Sequence, residues 1–167
     1  MAGYGQDQGL TDWLTANGLS LPAGALSPAV LRQRGSAYVD GTYGPRLMCS
    51  APTGGIDQER AWPRTGHVVN GIAIAADAVP TKWVEASYRA AYLIATNPAF
   101  GASTVNPMQR VKRQKVDVIE REFFDGGAVE IGAGGLAAID AEIDGLVAPL
   151  LCPDLDGSFA GLWAIGS

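Results

Sequence analysis

The chain predicts a mainly α fold: a small helical bundle of about four helices, with a long loop, one β-hairpin and an extended C-terminal arm. Three observations carry this expectation. Four stretches repeat apolar residues at helical spacing. A long connection between the second and third is rich in proline and glycine. A later stretch switches to near-alternation of basic and apolar residues, the period of a strand pair. Residues 1–151 are expected to form the helical domain and 152–167 the arm.

In chain order, residues 7–17 make a short first helix, because Leu10, Trp13 and Leu14 fall on one stripe and Asn17-Gly18 supplies a stop. Ser27-Pro28 opens the second, with serine to cap free amides and proline at the first helical position. Its inward residues are expected to be Val30, Leu31, Ala37 and Tyr38, and Gly41 to end it near Asp40.

Tyr43 to Ala78 holds Pro45, Pro52, Gly54-Gly55, Pro63, Gly66 and Gly71, and reads as a connection of over thirty residues. Loops of that length in small domains tend to serve a function or a partner. Asn70-Gly71 is its strongest turn signal.

Pro80 to Thr96 is the clearest helix, with Val84, Tyr88, Ala91, Tyr92 and Ala95 at helical spacing. Glu85 and Arg89 form an i, i+4 pair, and Asn97-Pro98 stops the helix. Arg110–Val116 and Val118–Phe124 read as the two strands of the hairpin. Such a pair is marginal alone and needs a packing surface. Gly126 to Gly135 is a glycine-rich linker. Leu136 to Leu151 is the last helix, with Ile139, Ile143, Leu146, Val147 and Leu150 inward and Pro149 closing the regular part by Ala148. The arm that follows carries Phe159, Leu162, Trp163 and Ile165 among glycines, an apolar set that must cover itself or a partner.

Composition narrows the function. The chain has 167 residues, 47% hydrophobic and 17% charged, with 22 glycines and 10 prolines. No apolar run approaches the ~18 residues of a membrane span. The first residues, Met1-Ala2-Gly3-Tyr4-Gly5-Gln6-Asp7, have neither the basic start nor the apolar core of a signal peptide. A net charge of −5 lacks the broad basic field of an autonomous nucleic-acid binder. Cys49 and Cys152, far apart and without metal spacing, read as free thiols.

Enzyme chemistry finds little footing. The single histidine, His67, reads as a surface-loop residue without a sequence-adjacent nucleophile. One histidine and two distant cysteines are too few for a metal cluster, so no metal is expected. Asp140, Glu142 and Asp144, like Asp154 and Asp156, read as solvated acids. The glycines at 126–127 and 132–135 lack the lysine and serine or threonine of a phosphate loop, so no cofactor is expected. Arg110, Lys112, Arg113 and Lys115, with Phe123 and Phe124 nearby, are the one feature that suits nucleic acid. The acidic set Asp117, Glu120, Glu122 and Asp125 makes cross-strand pairing the favoured reading of those charges.

Several segments in this order resemble a phage family described as DnaT-like and single-stranded DNA-binding. They are Tyr38 to Tyr43, the run Gln58-Glu59-Arg60-Ala61-Trp62-Pro63-Arg64-Thr65-Gly66, Val79-Pro80 before the long helix, and Val111 to Phe124. Proteins of this kind look like the head–tail adaptors of tailed phages. The resemblance implies a non-enzymatic virion protein: a homo-oligomeric ring, commonly of twelve copies, in the neck beneath the portal protein. That ring extends the DNA channel and receives a tail or stopper protein. Genomic DNA passes through without sequence-specific binding, no membrane is involved, and the subunits wait in the host cytoplasm before assembly.

On this view Phe159, Leu162, Trp163 and Ile165 dock the arm into the portal, with Trp163 as the strongest anchor. The long loop and the hairpin supply contacts between subunits. Trp62 enters a core pocket, Pro63 shapes the loop and Arg64 holds loop carbonyls or an acidic neighbour. The alternative implied by the family's description is a single-stranded DNA-binding protein of phage replication, using Arg110, Lys112, Arg113 and Lys115. A third reading is a small hydrolase built around His67.

Overall fold

The computed structural model describes residues 2–97, 100 and 140–153. It is mainly α, as expected. The described residues form α1 (Asp7–Ala16), α2 (Pro28–Tyr43), α3 (Thr81–Thr96) and α4 (Ala141–Val147), the last extended by a 3-10 turn over Ala148–Leu150. The hairpin expected at 110–124, Ile139, and the arm residues Phe159, Leu162, Trp163 and Ile165 lie outside the described residues.

Some of the signals at the helix ends act as read and others do not. Beyond α1, Gly18 takes the left-handed conformation at φ 67°, and Leu19 N–H returns to the Leu14 carbonyl at 2.8 Å. Pro28 opens α2, although the Ser27 hydroxyl makes no capping bond. Asn97 closes α3 by donating its N–H to Leu93. Asp140 caps α4, accepting the amides of Glu142 and Ile143. The acid read as solvated is therefore a cap, and it also faces Arg89 on α3 at 3.5 Å. Arg89 reaches Glu142 as well, at 3.0 Å, so it turns to α4 and not to Glu85.

The inward face of α2 differs from the expected one. Leu31, Gly35, Ser36, Val39 and Tyr43 are buried, whereas Val30 and Ala37 are exposed and Tyr38 is half-buried. Gly35 lies against the backbone of α3 and Ser36 accepts the Tyr4 N–H, so the buried face includes a glycine and a serine that a hydropathy stripe passes over. A Cβ on Gly35 would stand 2.2 Å from the Ser87 carbonyl oxygen. Gly41 does not stop the helix, which runs two residues further to Tyr43.

α3 is the central element and packs on α1, α2 and α4. Two apolar clusters flank it. One joins Val39, Tyr43, Leu47, Trp62, Trp83, Phe100, Ile143 and Val147; the other joins Leu10, Leu14, Leu31, Tyr88 and Ala91. Each large side chain fully buried this way contributes about 1.5–3 kcal/mol.

The segment before α1 is tied down as well. Arg32 donates to the carbonyls of Gly3, Tyr4 and Gly5 and meets Asp7 at 2.6 Å. Tyr4 N–H donates to Ser36 Oγ at 2.8 Å, and its hydroxyl donates to Asp40 at 2.8 Å. Asp40 also accepts the Trp83 indole N–H at 3.1 Å and faces Arg60 at 3.5 Å.

The connection from 43 to 78 is more structured than its composition suggests. A 3-10 turn, Gly44–Leu47, leads to β1 (Ala51–Pro52), which pairs antiparallel with β2 (Arg64–Thr65). β3 (Val68–Val69) pairs with β4 (Ile72–Ala73) across Asn70-Gly71. Both turn residues have positive φ, 50° and 81°, the geometry that made this dipeptide the strongest turn signal.

Candidate functional site

The two small hairpins bring together side chains that are well separated in sequence. The turn after α2 sets Cys49 and Ser50 just before β1. Pairing of Pro52 with Arg64 places the Arg64 side chain beside Ser50. Gly66, at φ 77°, then turns the chain so that His67 faces inward. The cis peptide bond Trp62–Pro63 lies just before β2.

Arg64 holds loop carbonyls, as the sequence suggested. It is only 7% exposed, and it donates to Leu47 O at 2.8 Å, to Ala61 O at 3.1 Å and to Ser50 O. Its Nε donates to Ser50 Oγ at 2.7 Å. Trp62, at 1% exposure, fills the core pocket against Trp83, with ring centres 6.0 Å apart. Burial disfavours the Arg64 charge and lowers its pKa.

His67 is not a surface residue. It is 1% exposed and stands edge-on to Trp62 at 4.8 Å. Its Nε2 lies 2.9 Å from the Leu150 carbonyl and its Nδ1 lies 2.8 Å from Ser50 Oγ. A carbonyl only accepts, so Nε2 carries the proton and Nδ1 presents its lone pair. The Ser50 hydroxyl must then donate to Nδ1 while accepting from Arg64. Burial, the largest influence, lowers the His67 pKa; the Arg64 charge acts the same way and the Leu150 bond opposes them. The imidazole is therefore neutral at neutral pH.

The result is a directed chain of bonds, Arg64 to Ser50 to His67 to Leu150, which ties both hairpins to the end of α4. It contains a serine–histidine pair at hydrogen-bond distance. The third partner is a carbonyl where a hydrolytic triad has a carboxylate, and Arg64 occupies a serine lone pair.

Cys49 and Cys152 are not free thiols. They form a disulfide with Cα atoms 5.7 Å apart, closing a sequence separation of 103 residues. Cys49 Sγ stands 3.9 Å from His67 Nδ1. The ligand atoms of Cys49, His67 and Cys152 all lie within 4.8 Å of one another. Sequence distance argued against any such grouping; the fold removes that distance, and no spacing rule could have shown it.

The surface around this site is apolar in places. Met48 is 86% exposed, Ile56 fully and Ile72 73%. The sequence reading missed these, because isolated apolar residues in a loop have no periodicity to place them. A separate open groove of about 650 Å³ lies between α2 and α3, lined by Leu26, Leu31, Arg34, Tyr38, Ile94 and Phe100. Arg110, Lys112, Arg113 and Lys115 lie outside the described residues.

A family model described as "Putative DnaT-like ssDNA binding protein" matches residues 4–163. No curated protein and no solved structure matches the chain.

Proposed function

The chain belongs to the DnaT-like ssDNA-binding family, and on that premise we propose that it binds single-stranded DNA without acting on it. The family match over nearly the whole chain carries this reading. Within the sequence, Arg110, Lys112, Arg113 and Lys115 supply four cations in six residues with no acid among them, and Phe123 and Phe124 offer stacking faces. The net charge of −5 confines phosphate binding to such a local patch. No catalytic role or cofactor enters this reading.

The test is fluorescence anisotropy of a labelled oligothymidylate at low salt, repeated as salt rises. Binding should weaken with salt and vanish when the four basic residues become alanine. Absence of binding at low salt overturns the reading.

A second reading is favoured by the exposed side chains of Met48, Ile56, Val68 and Ile72. Apolar side chains at loop and hairpin tips suit burial against another protein. On this reading the chain is a head–tail adaptor in the virion neck, ringed beneath the portal and docking a tail or stopper protein. Co-purification with the portal protein of the same genome, followed by electron microscopy, tests it. A ring with one subunit per portal subunit supports it; removal of residues 153–167 with no loss of portal binding sinks the proposed arm contact.

A further inference from the structure

We propose that the dithiol form of this protein binds one thiophilic divalent cation of the zinc class through Cys49, Cys152 and His67. The disulfide and the metal-bound dithiol are then alternative ties at one place, where the chain leaves α4 toward Ser167.

Four observations carry the assignment. First, the donor set is two sulfurs and one imidazole nitrogen, which is what zinc selects. Second, these atoms already lie within 4.8 Å of one another. A tetrahedral ion with bonds of ~2.0–2.3 Å needs its ligands ~3.5–3.8 Å apart. The required adjustment is small, and Cα atoms 5.7 Å apart let both sulfurs turn to a shared ion.

Third, His67 is already oriented as a ligand. Its Nε2–H is fixed on the Leu150 carbonyl, so the lone pair is on Nδ1, the nitrogen that lies 3.9 Å from Cys49 Sγ. Metal-bound histidines usually fix their second nitrogen in this way. Fourth, Nδ1 can be released. The Ser50 hydroxyl that donates to it also lies 3.2 Å from the Leu47 carbonyl, a ready alternative acceptor. Arg64 would keep its bond to Ser50 throughout.

The chemistry balances. A dithiol reductant supplies two electrons and two protons to the Cys49–Cys152 bond and itself becomes a disulfide. The two thiols then lose their protons to solvent as the cation binds, giving a neutral site with neutral His67. Cys49 is exposed, so a water molecule can complete the tetrahedron from its side.

The experiment uses the full chain, reduced and freed of reductant without oxygen, and titrated with Co²⁺. Expected are one equivalent bound, thiolate-to-cobalt absorption in the near ultraviolet, tetrahedral bands in the visible, and loss of all of them on adding Zn²⁺. Cys49→Ser, at an exposed position, should weaken binding by more than the about 10–100-fold typical of lost outer-shell partners. The disulfide form should show none of these bands.

If reduction alone unfolds the chain, recovery of its circular dichroism on adding Zn²⁺ supports the site, and failure to recover overturns it. A folded reduced chain without thiolate–cobalt absorption overturns it too. So does equal binding by Cys49→Ser or by the oxidised protein.

Discussion

Gly35 of α2 lies against Ser87 of α3: a Cβ on Gly35 would stand 2.2 Å from the Ser87 carbonyl oxygen and 2.7 Å from the Ala91 nitrogen. Both neighbours are backbone atoms, so neither can turn aside. Gly35→Ala should raise helix propensity by about 1 kcal/mol. Overpacking, typically about 1–3 kcal/mol, falls here on backbone and should outweigh that gain. The variant should melt lower than the parent. An unchanged or higher melting temperature would show that the helices are not this close.

Asp40 gives a pH-dependent test. Burial, the largest influence, raises its carboxyl pKa above the ordinary range, against lowering bonds from Tyr4, Trp83 and the Ala61 amide and the Arg60 charge. The folded chain thus holds this proton more tightly than the unfolded chain. The stability it contributes is complete below the unfolded pKa and is lost as pH rises through the folded one. Relative to Asp40→Asn, the parent should gain stability as pH falls from about 7 to about 4. Urea midpoints of both proteins across that range check this, and a flat or reversed difference contradicts it.

Arg64→Ala removes donors from Leu47, Ser50 and Ala61 carbonyls and from Ser50 Oγ. A buried acceptor left without a donor costs about 1–3 kcal/mol, so the total loss should be about 3 kcal/mol or more. Arg64→Lys should recover only part, because one ammonium cannot span acceptors arranged for a fork. Chemical denaturation of the pair checks both. Equal stability of parent and Arg64→Ala would remove the residue from the scheme.

In metal-free buffer, reducing the disulfide should cost about 2–4 kcal/mol, the usual effect of opening a long covalent loop. Cys152→Ser should reproduce that loss and abolish any further effect of reductant. Reductant that still shifts its denaturation midpoint would mean that the loss comes from elsewhere.

How much of this was legible depended on how local the physics was. α1, α2 and α3 could be read because stripes such as Leu10–Leu14 and stops such as Asn17-Gly18 act within a few residues. Asn70-Gly71 was readable for the same reason. The buried face of α2 was not. Gly35 is buried because backbones meet there and Ser36 because it accepts the Tyr4 N–H, while a hydropathy stripe favours Val30 and Ala37. The centre of the candidate site was hidden for a different reason: His67, Ser50, Cys49 and Cys152 share a place only after the hairpins and α4 have packed. Arg64 was an intermediate case: the sequence left loop carbonyls and an acidic neighbour both open as its partners, and the fold supplies the carbonyls.

Tyr38 stands between the two points where the described core breaks off and resumes. Its ring lies 4.7 Å from that of Phe100, just beyond α3, and the Asp140 charge that opens α4 acts on its hydroxyl. The chain therefore departs and returns at a single fixed footing.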